Sequence, residues 1–153
     1  MTQPPRPLLL LLDDDELWLR SLSRRLRMEG YRTVTFGTAA EALDGIAEHE
    51  PDLCVIDYLL GGDQDGSDVA FRARDRFGDA CPPLVLVSGT LEQVPTDRLR
   101  PFDGTYGKDL DARQLVAEIT ATLTSGDRPR SHSRLRPIDR RDPTPTGRFR
   151  QKG

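Results

Sequence analysis

The chain has 153 residues, 36% of them apolar and 31% charged, which fits one soluble domain and leaves no room for two ordinary ones. Its net charge of −3 speaks neither for a nucleic-acid binder nor for an acidic disordered protein. That mean hides a split: nine of the 22 basic residues lie in residues 126–153 beside only Asp127, Asp139 and Asp142, so an acidic body balanced at −9 joins a basic tail balanced at +6.

Residues 1–6 are expected to be a disordered N-terminus, and residues 7–125 to form the folded body. The longest apolar run, Leu8 to Leu12, is shorter than the roughly 7 to 15 residues of a signal-peptide core and far below the roughly 20 of a membrane span. The run therefore reads as a strand, and a cytoplasmic protein is expected. Glu16 to Met28 reads as a helix, with Trp18, Leu22 and Leu26 on one apolar face and Gly30 as its stop. Thr33 to Phe36 follows as a second strand. Ala39 to Glu48 presents Ala42, Leu43 and Ile46 at helical spacing. Leu53 to Ile56 and Leu84 to Val87 are continuously apolar, which is how strands buried on both faces of a parallel sheet read. Between them, Ser67 to Phe77 sets Val69, Ala70, Ala73 and Phe77 on one helix face. The next segment, Leu91 to Arg100, contains Pro95 and ends at Pro101, so a short or distorted helix is expected. A weaker strand around Thr105 to Gly107 precedes a helix over Asp111 to Leu123, with Leu115, Ile119 and Leu123 inward. Strand and helix alternating five times call for a doubly wound α/β fold: one parallel five-stranded sheet with helices on both faces. Residues 126–153 carry Pro129, Pro137, Pro143 and Pro145 and almost no large apolar side chains, the composition of a disordered tail.

Ligands of open α/β sheets bind at the carboxyl ends of the strands. The first run ends there in Asp13-Asp14-Asp15, the third in Asp57, the fourth in Ser88 and the fifth in Lys108. Singly, each is ordinary: Asp15 suits an N-cap, and Asp or Ser after a strand suits a turn. Together they are not, because carboxylates gathered at one edge repel one another unless a cation neutralises them. An all-oxygen donor set favours Mg2+, with Mn2+ as the alternative, over zinc. Cys54 and Cys81, without a CxxC pair and beside only two histidines, form neither a disulfide scaffold nor a zinc cluster and are expected as buried thiols. His49 is expected to be exposed.

The stretches LLLLLDDDELW, Gly30-Tyr31, PDLCVIDYLLGGDQDG, PPLVLVSGT and GKDLDARQLVAEI resemble the receiver domain of two-component response regulators, over residues 7–125. The resemblance implies a flavodoxin-like strand order, 2-1-3-4-5. It also implies that Asp57 accepts a phosphoryl group from a sensor histidine kinase or a histidine phosphotransfer protein. Asp13 and Asp14, with Asp57 and the backbone carbonyl of Leu59, would hold Mg2+. Ser88 and Gly89 would meet the phosphoryl group, and Lys108 would pair with one of its oxygens. Three departures stand out: Asp109 follows the lysine where the family commonly has Pro, Thr105 occupies the position of its switching aromatic, and the loop after Asp57 is one residue longer.

The expectation is a stand-alone single-domain response regulator, not an enzyme, with neither a DNA-binding domain nor a membrane span. It would signal to an unidentified output protein by contact or by phosphorelay, and its tail could meet an acidic partner. A pseudo-receiver that never takes phosphate is one alternative. A haloacid-dehalogenase-type phosphatase with Asp13 as nucleophile and Asp15 as acid is another, although it leaves Asp57 without a role.

Overall fold

The computed structural model describes residues 6–125. The expectations for residues 1–5 and for the tail at 126–153 lie outside the described residues. The elements run β1 (Leu8–Leu12), α1 (Glu16–Met28), β2 (Arg32–Phe36), α2 (Ala39–His49), β3 (Leu53–Ile56), α3 (Gly66–Phe77), β4 (Leu84–Ser88), β5 (Gly104–Gly107) and α4 (Ala112–Ser125).

The five strands pair in parallel in the order β2-β1-β3-β4-β5, as the resemblance implied. Register sets Leu10 opposite both Val34 and Cys54, Cys54 opposite Leu84, and Leu86 opposite Thr105. Because successive strand side chains point to opposite faces, the leucine run serves two cores at once. Leu10 and Leu12 join Cys54, Ile56 and Leu84 beneath α2 and α3. Leu9 and Leu11 join Leu53, Val55, Val85 and Val87 beneath α1 and α4. Each fully buried leucine contributes about 1.5–3 kcal/mol, which is why a five-residue strand with no polar side chain is tolerated at the centre of the sheet. Both cysteines are buried thiols that form no disulfide, and His49 is exposed.

Helix starts follow the capping residues. Asp15 Oδ1 accepts the Leu17 and Trp18 N–H groups at the head of α1, and Thr38 Oγ1 accepts the Glu41 N–H in α2. Asp65 and Asp68 form a reciprocal capping box that opens α3. No helix among the described residues is long and apolar enough to cross a membrane.

Two sequence expectations need correction. The segment over Leu91 to Arg100 contains no α-helix; it forms two single 3-10 turns, Leu91–Gln93 and Thr96–Leu99. Pro95 lacks the N–H that an α-helix needs and forces extended backbone on its neighbour, splitting the segment in two. Four α-helices, not five, therefore accompany the five strands among the described residues. Trp18 was expected with Leu22 and Leu26 on the core face of α1. The core position is taken by Leu19 instead, and Trp18 is only half-buried at the margin.

Candidate functional site

The carboxyl ends of β1, β3 and β5 deliver Asp13, Asp57 and Lys108 to one edge of the sheet. Main-chain bonds lock these ends together: Asp57 N–H donates to the Leu12 carbonyl at 2.9 Å, Asp13 N–H to the Phe36 carbonyl at 3.2 Å, and Lys108 N–H to the Ser88 carbonyl at 3.0 Å. A cleft of about 630 Å3 opens at this edge, with Asp13, Asp14, Asp57, Leu59 and Lys108 among its lining residues. Asp13 and Asp57 are buried, at 2% and 7% exposure, while Asp14 is exposed.

Asp13 is held by both oxygens. Its Oδ1 accepts the Asp15 N–H at 2.9 Å, and its Oδ2 accepts from Lys108 Nζ at 2.7 Å. The same ammonium stands 3.5 Å from Asp57 Oδ1. One lysine thus faces two buried carboxylates. Burial pushes the Asp57 carboxyl up to about 6, and the Asp13 charge adds to the rise against the opposing pull of Lys108. Burial likewise raises Asp13, more than its bonds to Lys108 and to the Asp15 N–H lower it. Burial by itself would lower Lys108, but the bond to Asp13 and the charges of Asp57 and Asp13 together carry it above its ordinary value. Charge neutralisation at this edge is therefore incomplete. Carboxylate oxygens of Asp13, Asp14 and Asp57 lie within 4.8 Å of one another, so a hard divalent cation with oxygen preference fits both the spacing and the missing positive charge.

Ser88 closes β4 almost fully buried, at 1% exposure. Its hydroxyl accepts the Thr90 N–H at 3.1 Å, and neither Ser88 nor the exposed Gly89 lines the cleft. Asp15 lines the mouth, but its carboxylate is engaged as the cap of α1, so the acid role that the phosphatase alternative gave it finds no support. The long loop after Asp57 supplies further rim residues that the sequence did not single out: Gly61, Gly62, Asp63, Gln64 and Asp65. Gly61 has φ +75°, and a Cβ there would meet Asp14 Oδ2 at 2.7 Å, so the backbone runs close over that carboxylate. Trp18 was also missed as part of the site; its ring lies 4.8 Å from Lys108 Nζ.

Residues 9–119 match the family model described as the response regulator receiver domain. The chain belongs to that family. The transcriptional regulatory protein AfsQ1 of Streptomyces coelicolor is 32% identical to this receiver over 123 residues, covering 80% of this chain and 53% of AfsQ1. The DNA-binding response regulator MtrA of Mycobacterium tuberculosis is 30% identical over 124 residues, covering 80% of this chain and 53% of MtrA. The chain spans about half the length of these curated relatives. Among solved structures, a CheY-like receiver domain from Methanospirillum hungatei JF-1 superposes with a TM-score of 0.70 at 25% identity, covering 79% of this chain and 96% of that one. The receiver domain of NtrX from Brucella abortus shares the fold, with a TM-score of 0.68 at 24% identity over 77% of this chain and 99% of that one. Receiver domains are signalling modules of two-component systems, and their exchange partners are histidine kinases or phosphotransfer proteins.

Proposed function

We propose that this receiver, residues 7–125, takes a phosphoryl group onto Asp57 from the phosphohistidine of a sensor kinase or a histidine phosphotransfer protein. The observation that carries the reading is the convergence of Asp13, Asp14 and Asp57 within 4.8 Å, with Lys108 Nζ 2.7 Å from Asp13 and 3.5 Å from Asp57. An oxygen of the Asp57 carboxylate attacks phosphorus, the phosphorus–nitrogen bond of the donor breaks, and its electron pair stays with the donor imidazole. Asp13, Asp14, Asp57 and the Leu59 backbone carbonyl would hold Mg2+, or Mn2+ in its place. Held there, the cation would supply positive charge against the negative charge spreading over the phosphoryl oxygens.

Lys108 is already poised between the two buried carboxylates and offsets the remaining charge on the transferred group. The Ser88 hydroxyl, freed from the Thr90 N–H, and the Gly89 backbone would contact phosphoryl oxygens. Output passes to a partner protein by contact or by phosphorelay. The test is incubation with acetyl phosphate and Mg2+ followed by intact mass. The native chain gains one phosphoryl group and Asp57→Ala gains none. Equal gain in the variant would place the acceptor elsewhere, and no gain in either would leave a phosphorylation-independent interaction module.

A further inference from the structure

A lysine that stabilises a transferring group has to be held in place, because its ammonium is a point charge on a flexible four-carbon stem. The closest anionic partner of Lys108 is Asp13, at 2.7 Å, with Asp57 farther off at 3.5 Å. In the proposed function both carboxylates are also metal ligands, so their electron pairs would be shared with a divalent cation during the reaction. A neutral support that no metal competes for would keep the ammonium in place. The described residues contain one: the ring of Trp18, with Lys108 Nζ 4.8 Å from its centroid, inside the roughly 6 Å over which an aromatic face attracts a cation.

The backbone under Trp18 is fixed. Its main-chain N–H donates to Asp15 Oδ1 at 3.1 Å, and the Asp15 N–H in turn donates to Asp13 Oδ1. The side chain packs against the cluster of Leu9, Leu11, Val87 and Leu115 without becoming a full member of it. Packing at the core margin needs only apolar bulk, which a leucine would supply; the indole adds a π-face, and the part-buried Lys108 ammonium lies over it. We propose that Trp18 is a positioning residue for Lys108, keeping the ammonium over the phosphoryl site when a divalent cation takes up Asp13. This rests on the proposed phosphoacceptor role of Asp57.

The test compares Trp18→Leu, which keeps apolar bulk, with Trp18→Phe, which keeps a π-face. Phosphorylation rate constants are measured with acetyl phosphate at saturating Mg2+, and the Mg2+ dissociation constant is measured separately. Trp18→Leu is expected to phosphorylate about three- to tenfold more slowly with Mg2+ affinity within about twofold of native, and Trp18→Phe to recover most of the rate. A native rate in Trp18→Leu overturns the proposal, as does an equal deficit in the two variants. A second arm does not depend on phosphorylation. Trp18 is the one tryptophan of the chain, so removing the cation in metal-free Lys108→Met should change its emission intensity or maximum. Unchanged emission would show that the ammonium does not sit on the ring and overturns the proposal. If the native chain takes no phosphoryl group while the emission does respond, the contact stands but the phosphoacceptor reading and its positioning role both fall.

Discussion

Lys108 Nζ lies 2.7 Å from Asp13 Oδ2 and 3.5 Å from Asp57 Oδ1, making it a single cation between two buried carboxylates. It is the only basic residue among those lining the cleft. Lys108→Met should therefore cost two things. Phosphorylation of Asp57 should slow about a hundredfold or more, the scale of losing one preorganised electrostatic contact to a developing charge. The metal-free protein should also lose stability, and the loss should grow with pH, since protonated carboxyls need no cation whereas ionised ones do. Melting temperatures at pH 5 and pH 8 check this; an identical loss at both would show that the lysine contributes through packing alone.

Asp57 supplies a pH dependence of its own. Its folded pKa of about 6 lies above the ordinary 3.8, so between those values the folded state holds a proton that the unfolded state has released. The contribution of Asp57 to the stability of the metal-free chain then falls as pH rises from about 4 to about 6, and levels off above. The full penalty is on the order of 2–3 kcal/mol. Asp57→Asn removes it and should unfold at higher temperature than the native chain at pH 7.5, with the difference vanishing near pH 4. Mg2+ acts on the same linkage in the opposite sense: it favours the ionised form, so the stabilisation it gives should rise with pH across this window. Denaturation curves with and without Mg2+ decide, and a native chain more stable at pH 7.5 than Asp57→Asn would contradict the assignment.

Much of this arrangement is legible in the chain because it is local. The runs at Leu8–Leu12, Leu53–Ile56 and Leu84–Val87 have no polar alternation, and a strand covered on both faces is what that requires. Asp13 and Asp57, which follow the first two runs, reach the cleft because parallel strands present all their carboxyl ends on one edge, whereas Ser88 closes its strand on the same edge without lining the cleft. Trp18 and Leu19 show where periodicity stops helping. A helical face is wide enough to accept either residue, and only the docking of α1 against β1, β2 and α4 puts Leu19 inside and Trp18 at the margin. Prolines at 95 and 101 announced a broken helix. Nothing local announced that Arg98, within the broken segment, would pair with Asp65 and Asp68 more than 29 residues upstream, since ion pairs across elements leave no periodic trace.

Gly66 marks a contact at the same edge that only a residue without a side chain permits. Its N–H donates to the Tyr58 carbonyl at 2.7 Å, and a Cβ would fall well inside contact distance of the Asp57 carbonyl oxygen, with Ile56 also close. The obstacle is backbone, which cannot swing aside. Gly66→Ala should destabilise by about 1–3 kcal/mol or more and weaken Mg2+ binding as the main chain at Asp57 shifts. Gly62→Ala is the control, because a Cβ at Gly62 meets nothing within 4 Å. Equal behaviour of the two variants would show that the chain absorbs the clash without moving the site.

The pairing of Arg98 with the start of α3 stands in for the missing helix. Its Nη2 donates to Asp65 Oδ1 at 2.7 Å and to Asp68 Oδ1 at 2.8 Å, its backbone carbonyl accepts the Ser67 hydroxyl at 2.6 Å, and its guanidinium lies over Phe71. Two isolated 3-10 turns have too few internal bonds to hold a connection between strands; these cross-links hold it against α3. Asp65 also ends the loop that follows Asp57, so the same arginine ties that loop to the crossover between β4 and β5. The guanidinium keeps the Asp68 carboxyl below its ordinary value, so this contribution is present above about pH 4 and is lost as pH falls below it. Because the groups are about a quarter to a third exposed, solvent and salt screening limit it to about 1 kcal/mol. Arg98→Ala should accordingly lower the melting temperature only modestly at pH 7, but hydrogen exchange across residues 90–103 should quicken far more than in the strands. Uniform quickening over the whole sheet would mean that Arg98 supports global stability and not this segment, and no quickening at all would mean that the two turns hold themselves.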